Sequence, residues 1–326
     1  MLLKERRKHA RPRAGDWVEV KSADEILATL DEQGRLDGLP FMPEMLQYCG
    51  KRLQVFKSAH KSCDTIQDWK TMRSMRGAVH LAGARCDGAS HGGCQAACLL
   101  YWKEAWLKPV GDPTVAPMGT PRCDEAALVA ATRAGEGSEA RYRCQATDLP
   151  AATTPIARWS VGHYVADLTS RNVRLRDFVR YALLAAYNSV MRLHWRLKTH
   201  PYVRGLAGDK TPTAELNLQP GELVRVRSHD EIMRTLNQGA RNRGLSFDVE
   251  MVPYCGKTFR VLRRVDHIVN EKTGRMIRMP NACLILEGAV CGGCLSHKRM
   301  FCPRAIYPYW HEVWLDRVEA PRDATA

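Results

Sequence analysis

The chain has 326 residues, 45% hydrophobic and 26% charged, with a formal net charge of +14. Its apolar share supports a buried core and argues against a disordered chain, and no uncharged apolar run approaches the roughly 18 residues that span a bilayer. The opening MLLKERRKHARPR reaches charge after three residues, too soon for the apolar core of a secretory signal, so a cytoplasmic setting and mostly reduced thiols are expected for the 12 cysteines.

The charge is concentrated. Residues 1–13 carry six Lys/Arg against one Glu, and residues 171–204 carry eight against one Asp, leaving the rest close to neutral. Any electrostatic footprint therefore belongs to a tail and a connector.

After the basic tail (1–13) comes a first repeat, 14–108. Its alternating Trp17-Val18-Glu19-Val20 predicts a strand. Ser22, three residues before Glu25, has capping-box spacing and predicts a short helix through Leu30. Turn glycines Gly34 and Gly38 follow. Tyr48-Cys49-Gly50-Lys51 then opens a second strand, and Ala78-Val79-His80-Leu81 reads as a third.

Residues 109–219 form the connector. It comprises a Pro/Gly-rich linker to residue 122, a short helix over 124–133 and an irregular stretch over 145–160. A long helix over 172–197 follows, with an apolar face at Leu175, Val179, Ala182, Ala186, Val190, Leu193 and Leu197. That face predicts a helix lying across the core, with Arg176, Arg180, Arg192 and Arg196 in water.

The second repeat spans 220–318 and is followed by a short tail, 319–326. Residues 15–51 align with 221–257 without a gap, and 19 of the 37 columns are identical. The match resumes at Gly83-Ala84-Arg85-Cys86 with Gly288-Ala289-Val290-Cys291, and at YWKEAWL with YWHEVWL. The expected fold class is α+β: two tandem copies of a small β-barrel joined by a helical connector. The pattern G-D-x-V-x-V, a helical detour, then Y-x-G-K-x-x-x-V is similar to SH3-like barrels such as that of the nitrile hydratase β subunit. The likeness covers about 40 residues per copy and implies a fold without carrying over site residues.

The first repeat gathers four cysteines and three histidines within 39 residues: His60, Cys63, His80, Cys86, His91, Cys94 and Cys98. The second holds Cys283, Cys291, Cys294, His297 and Cys302 within 20. Zinc collects about four N/S ligands, economically from residues two to four apart, as at His60/Cys63, Cys94/Cys98 and Cys291/Cys294. A mostly thiolate set such as Cys63, Cys86, Cys94 and Cys98 equally suits an iron–sulfur cluster. The bland alternative is that thiols fill small cores, which is the reading for Cys49 and Cys255. Cys123 and Cys144 lie in the connector, with Cys144 a candidate late ligand. Cys63 and His80 align with Val269 and Ile285, so the principal centre is expected in the first repeat. A Cys/His nucleophile at His60/Cys63 or His91/Cys94 is a further alternative, as is a metalloenzyme using Asp64 or His80 for proton transfer.

The strings HKSCDT, VHLAG, RCDG, HGGCQAACLLYWKEAWL and FCPRAIYPYWHEVWL resemble bacterial tandem-repeat proteins rich in Cys and His. That group carries no assigned function, so the resemblance implies a bacterial setting and supplies no activity or site.

The expectation is a metal-binding protein, zinc or iron–sulfur, with Cys63, Cys86, Cys94, Cys98, His60, His80, His91, Cys291, Cys294 and Cys302 as candidate ligands. The centre is either structural or catalytic. Rival readings are a nucleic-acid-binding module using the basic helix and an accessory scaffold for a metalloenzyme. Residues 171–204 could also meet a protein partner or an anionic surface.

Overall fold

Alternation in the two opening segments buries every second side chain: Val18 and Val20 in one copy, Val224 and Val226 in the other, with Trp17 turned to solvent. The computed structural model describes residues 11–67, 71–111, 122–157, 160–193, 199–208, 210–296 and 299–318. The first sheet contains β1 (Trp17–Val20), β2 (Arg52–Ser58), β3 (Ala78–Arg85), β4 (Leu99–Lys103) and β5 (Leu107–Pro109), in the order β4-β3-β2-β1-β5. The second contains β6 (Leu223–Val226), β7 (Thr258–Val269), β8 (Met276–Leu286), β9 (Trp310–His311) and β10 (Leu315–Arg317), in the order β9-β8-β7-β6-β10. The strand orders correspond one to one. So do the irregularities: β2 shifts register between Val55 and Lys57, β7 between Val261 and Arg263. All pairings are antiparallel, and with the helices they make the chain α+β.

Helix α1 (Ala23–Leu27) starts at Ser22, whose hydroxyl accepts from the Glu25 N–H while the Glu25 carboxylate accepts from the Ser22 N–H. Ser228 and Glu231 repeat this at the start of the helix His229–Thr235. Satisfying orphan amide groups at both ends of the box lets such short helices persist.

Each copy closes over an aromatic core. Phe41 meets Trp106 edge-on at 5.2 Å, and Phe247 meets Trp314 at 5.4 Å. The indoles of Trp106 and Trp314 donate to Thr29 and Thr235. Aromatic pairs of this geometry contribute about 0.5–1.5 kcal/mol beyond their buried area. Two further apolar clusters mix the copies: Ala97 with Val265, Cys283, Ile285 and Tyr307, and Cys63 and Met72 with Cys302.

The connector is less regular. It contributes a helix at Glu125–Ala131, a strand at Thr154–Pro155 that joins Met72–Ser74, a helix at Gly162–Thr169 and the long helix Leu175–Leu193. The last differs from expectation in its orientation. Leu175, Val179, Leu183, Val190 and Leu193 are exposed, so the apolar face does not lie on the core. Arg196 and Leu197, the basic tail 1–10, most of the linker (112–121) and residues 319–326 lie outside the described residues. Among the described residues no helix is long and apolar enough to cross a membrane.

Candidate metal centre

The glycine-rich loop after β3 decides which thiols meet. Gly88 adopts φ +82, and a Cβ there would stand 2.1 Å from the Cys94 carbonyl oxygen. Only glycine allows the chain to fold back this tightly. The Gly93 N–H then donates to Gly88 O at 2.9 Å, and Cys86 N–H to Cys98 O at 2.9 Å. The second copy builds the same loop. Phe301 N–H donates to Gly293 O at 2.6 Å, and Cys291 N–H to Ile306 O at 2.7 Å. Cys94 and Cys302 are thereby equivalent, as are Cys86 and Cys291, while Cys98 is matched by Ile306.

The two loops face each other and exchange contacts. Val269 N–H donates to Cys94 Sγ at 3.3 Å, and Cys63 N–H to Cys302 Sγ at 3.3 Å. Cys63 and Val269 occupy aligned positions, so each copy caps the other copy's cysteine. At the centre, Arg304 donates to Thr65 at 2.7 Å and to Glu271 at 3.2 Å, and Thr65 donates to Glu271; these last two are also aligned positions.

Between the loops lies a cavity of about 830 Å³. Its lining includes Cys63, Cys86, Cys94 and Cys98 from the first copy, Cys144 from the connector, and Cys291 and Cys302 from the second. Seven of the twelve cysteines converge there. The cavity is bounded by both copies, and the first-copy cysteines Cys63, Cys86, Cys94 and Cys98 line one side of it.

On the first-copy side, three donors come together. Cys86 Sγ lies 3.4 Å from His91 Nε2 and donates to Glu44 Oε1 at 3.3 Å, and that oxygen is 3.2 Å from His91 Nδ1. The three residues offer ligand atoms mutually within 4.8 Å. The side chains of Glu44 and His91 are 1% and 2% exposed. The Glu44–His91 approach is too poorly directed for a hydrogen bond, and Glu44 Oε2 and His91 Nδ1 are both buried without a partner. Buried orphan atoms carry a cost that a bound cation would remove. Thiolate, imidazole and carboxylate are the three donor types zinc takes, and tetrahedral bonds of its usual length set donors roughly 3.3–3.8 Å apart. The residues present fit a metal ion, with Glu44, Cys86 and His91 as the donors.

Electrostatics divides the thiols. Burial pushes Cys94 up, but the His91 hydrogen bond and the Val269 amide outweigh it and leave its pKa lowered. His91 is correspondingly raised to about 9; burial opposes this, while the Cys94 hydrogen bond and the Glu44 carboxylate drive it. Cys302 falls to about 6, because the Cys63 thiol donates to it and the Arg304 amide and guanidinium support the thiolate against burial. Cys63 is pushed up in consequence. Cys86, Cys98 and Cys291 are raised, chiefly by burial, and Cys144 rises to about 12 for the same reason. A thiolate is the metal-binding form. The two thiols shifted toward the thiolate form are thus Cys94 and Cys302, at equivalent positions of the two copies.

The remaining candidates lie elsewhere. His80 is wholly buried beneath the sheet, where its Nδ1–H donates to Leu100 O at 2.9 Å, and it does not face the cavity. His60 contacts Ser58, His163 O and Asp167 beside the connector. Cys294 is half-buried, gives its amide to Glu250, and is pushed up to about 11 by burial. His297 lies outside the described residues. Cys49 and Cys255 are both raised to about 11 by burial and stay at the edge of their own cores; Cys123 is buried in the first core.

Glu44 was not among the candidates. Its signal was available: Glu44 and Glu250 form an identical column, an acid in a largely apolar run. The structure separates their roles. Glu250 accepts from the amides of Cys294, Leu295 and Ser296 at 2.7–3.1 Å, and so closes its loop. Glu44 has no such amides and is free to face Cys86 and His91.

Comparison with protein-family models, with curated proteins and with solved structures finds no match to the chain.

Proposed function

We propose that this chain is a metal-binding protein whose centre sits at Glu44, Cys86 and His91 and opens onto the chamber between the repeats, which Cys94 also lines. The observation that carries this reading is the buried cluster of Glu44, Cys86 and His91, in which Glu44 Oε2 has no hydrogen-bond partner. Zinc suits this mixed donor set. Bound there, it would supply Lewis acidity, while the protein residues hold the donors and keep bulk water from them. The chamber is within the size range of small-molecule sites, which favours a reactive centre over a closed staple. The same reading places each repeat among SH3-like barrels and the protein in bacterial cytoplasmic metabolism.

An iron–sulfur cluster is the second reading, favoured by the convergence of seven thiols on one cavity. It draws on Cys94 and Cys302, the two thiols whose pKa is lowered, with Cys63, Cys86, Cys98, Cys144 and Cys291 in reserve.

Metal content and absorption of anaerobically purified protein test both readings, for wild type, Glu44→Gln, Cys86→Ser and Cys302→Ser. A colourless protein with zinc, lost in Glu44→Gln and Cys86→Ser but kept in Cys302→Ser, is the expected result. A brown, iron-containing protein bleached by Cys302→Ser selects the cluster. Wild type with neither metal overturns the metal reading.

A further inference from the structure

The amphipathic helix Leu175–Leu193 presents its apolar side to solvent. Leu175, Leu183 and Leu193 are 67%, 66% and 87% exposed, with Val179 and Val190 between them at 47% and 58%. At 100° per residue these five fall within an arc of roughly 80°. Arg176 and Arg180, both exposed, border the arc on one side, while Arg192, also exposed, sits about 100° beyond the other edge. A contiguous stripe of large aliphatic side chains in water is unfavourable and marks a surface that is covered in use.

Charge identifies the cover. The helix carries four arginines and one acid if Arg174, immediately before it, is included. The chain's other basic stretch, residues 1–13, joins the described structure at the same end. Ala14 N–H donates to Ser170 O at 3.0 Å, and Arg171 pairs with Asp16 at 3.4 Å. Residues 1–13 and 171–204 hold most of the net charge of +14, and Ala14 and Asp16, which follow the first, contact Ser170 and Arg171 at the start of the second. A second copy seated antiparallel on the stripe would bring its Arg176/Arg180 edge against the same edge of this one. Nucleic acid would satisfy the arginines and leave the leucines in water. An acidic lipid surface satisfies both, because acyl chains accept the stripe while Arg176 and Arg180 along its edge reach headgroup phosphates.

We infer that the helix Leu175–Leu193 docks the protein on anionic membrane surfaces, lying in the interface without crossing it. The inference is independent of the metal centre, which lies in the chamber between the repeats.

The test is co-sedimentation of the full chain with vesicles of phosphatidylglycerol and phosphatidylcholine in equal parts, and with phosphatidylcholine alone. Wild type should partition at least about tenfold more strongly onto the anionic vesicles, with the difference shrinking at high salt. Leu183→Asp with Val190→Asp should abolish binding, and Arg176→Glu with Arg180→Glu should lower it by about tenfold or more. Both variants should keep the wild-type circular dichroism and melting temperature, since these side chains face solvent. Failure of wild type to bind, or unchanged binding by both variants, overturns the inference. So does a concentration-dependent dimer, or retention of duplex DNA, that the leucine–valine variant abolishes.

Discussion

Cys302 accepts the backbone N–H of Cys63 at 3.3 Å, across 239 positions of sequence. The reciprocal contact, Val269 N–H to Cys94, has the same length. Because each copy caps the other's cysteine sulfur, the chamber exists only when both copies are folded and docked. Copy-to-copy contact is thus part of the site, and disturbance of one loop reaches the donors of the other.

Substitution of Gly88 should have an outsized effect. Its φ of +82 and the 2.1 Å approach to the Cys94 carbonyl leave no room for a methyl group. Gly88→Ala should cost about 3 kcal/mol or more. Gly83 has a similar φ, +75, with nothing within 4 Å, so Gly83→Ala should cost only about 1 kcal/mol. Urea unfolding of both variants measures the difference; equal losses would mean the loop is not held as described.

A second prediction concerns Lys61, which is fully buried. Its Nζ donates to Asp167, also fully buried, and to Met300 O, and it faces the rings of Tyr164 and Phe301. This joins a connector helix to both copies. Burial lowers the Lys61 pKa, against the pull of Asp167. Asp167→Ala leaves a cation without its counter-ion and should cost about 3–5 kcal/mol, whereas Lys61→Met combined with Asp167→Leu should recover most of the loss. Denaturant midpoints of the single and double variants decide this, and equal losses would show that packing around Asp167 matters more than charge.

The third concerns acid. Burial lowers the His80 pKa to about 3 from an ordinary value of 6.5. The unfolded chain takes up this proton below pH 6.5 and the folded chain does not. The contribution of His80 is therefore fully present above pH 6.5 and is lost toward pH 3, at up to about 1.4 kcal/mol per pH unit. His80→Ile, which copies Ile285 of the second repeat, should flatten the stability profile between those limits even if it costs stability at neutral pH. Parallel acid limbs for the two proteins would show that His80 does not titrate this way.

Much of the architecture was legible in the sequence because it is written locally. The capping boxes at Ser22/Glu25 and Ser228/Glu231, the alternation of Val18/Val20 and Val224/Val226, and the 37 aligned columns all concern residues within a few positions of each other. The tight spacing of Cys86, His91, Cys94 and Cys98 likewise announced a donor cluster. Which donors meet was decided elsewhere. Pairing of Cys63 with Cys302, exclusion of His60 and His80, and recruitment of Glu44 all depend on how two loops from different copies dock, and no local pattern encodes that. The long helix makes the same point. Its 3.6-residue period determined that one face is apolar, but only tertiary structure decided that this face meets no core, because periodicity specifies which side chains share a side and not what lies against them.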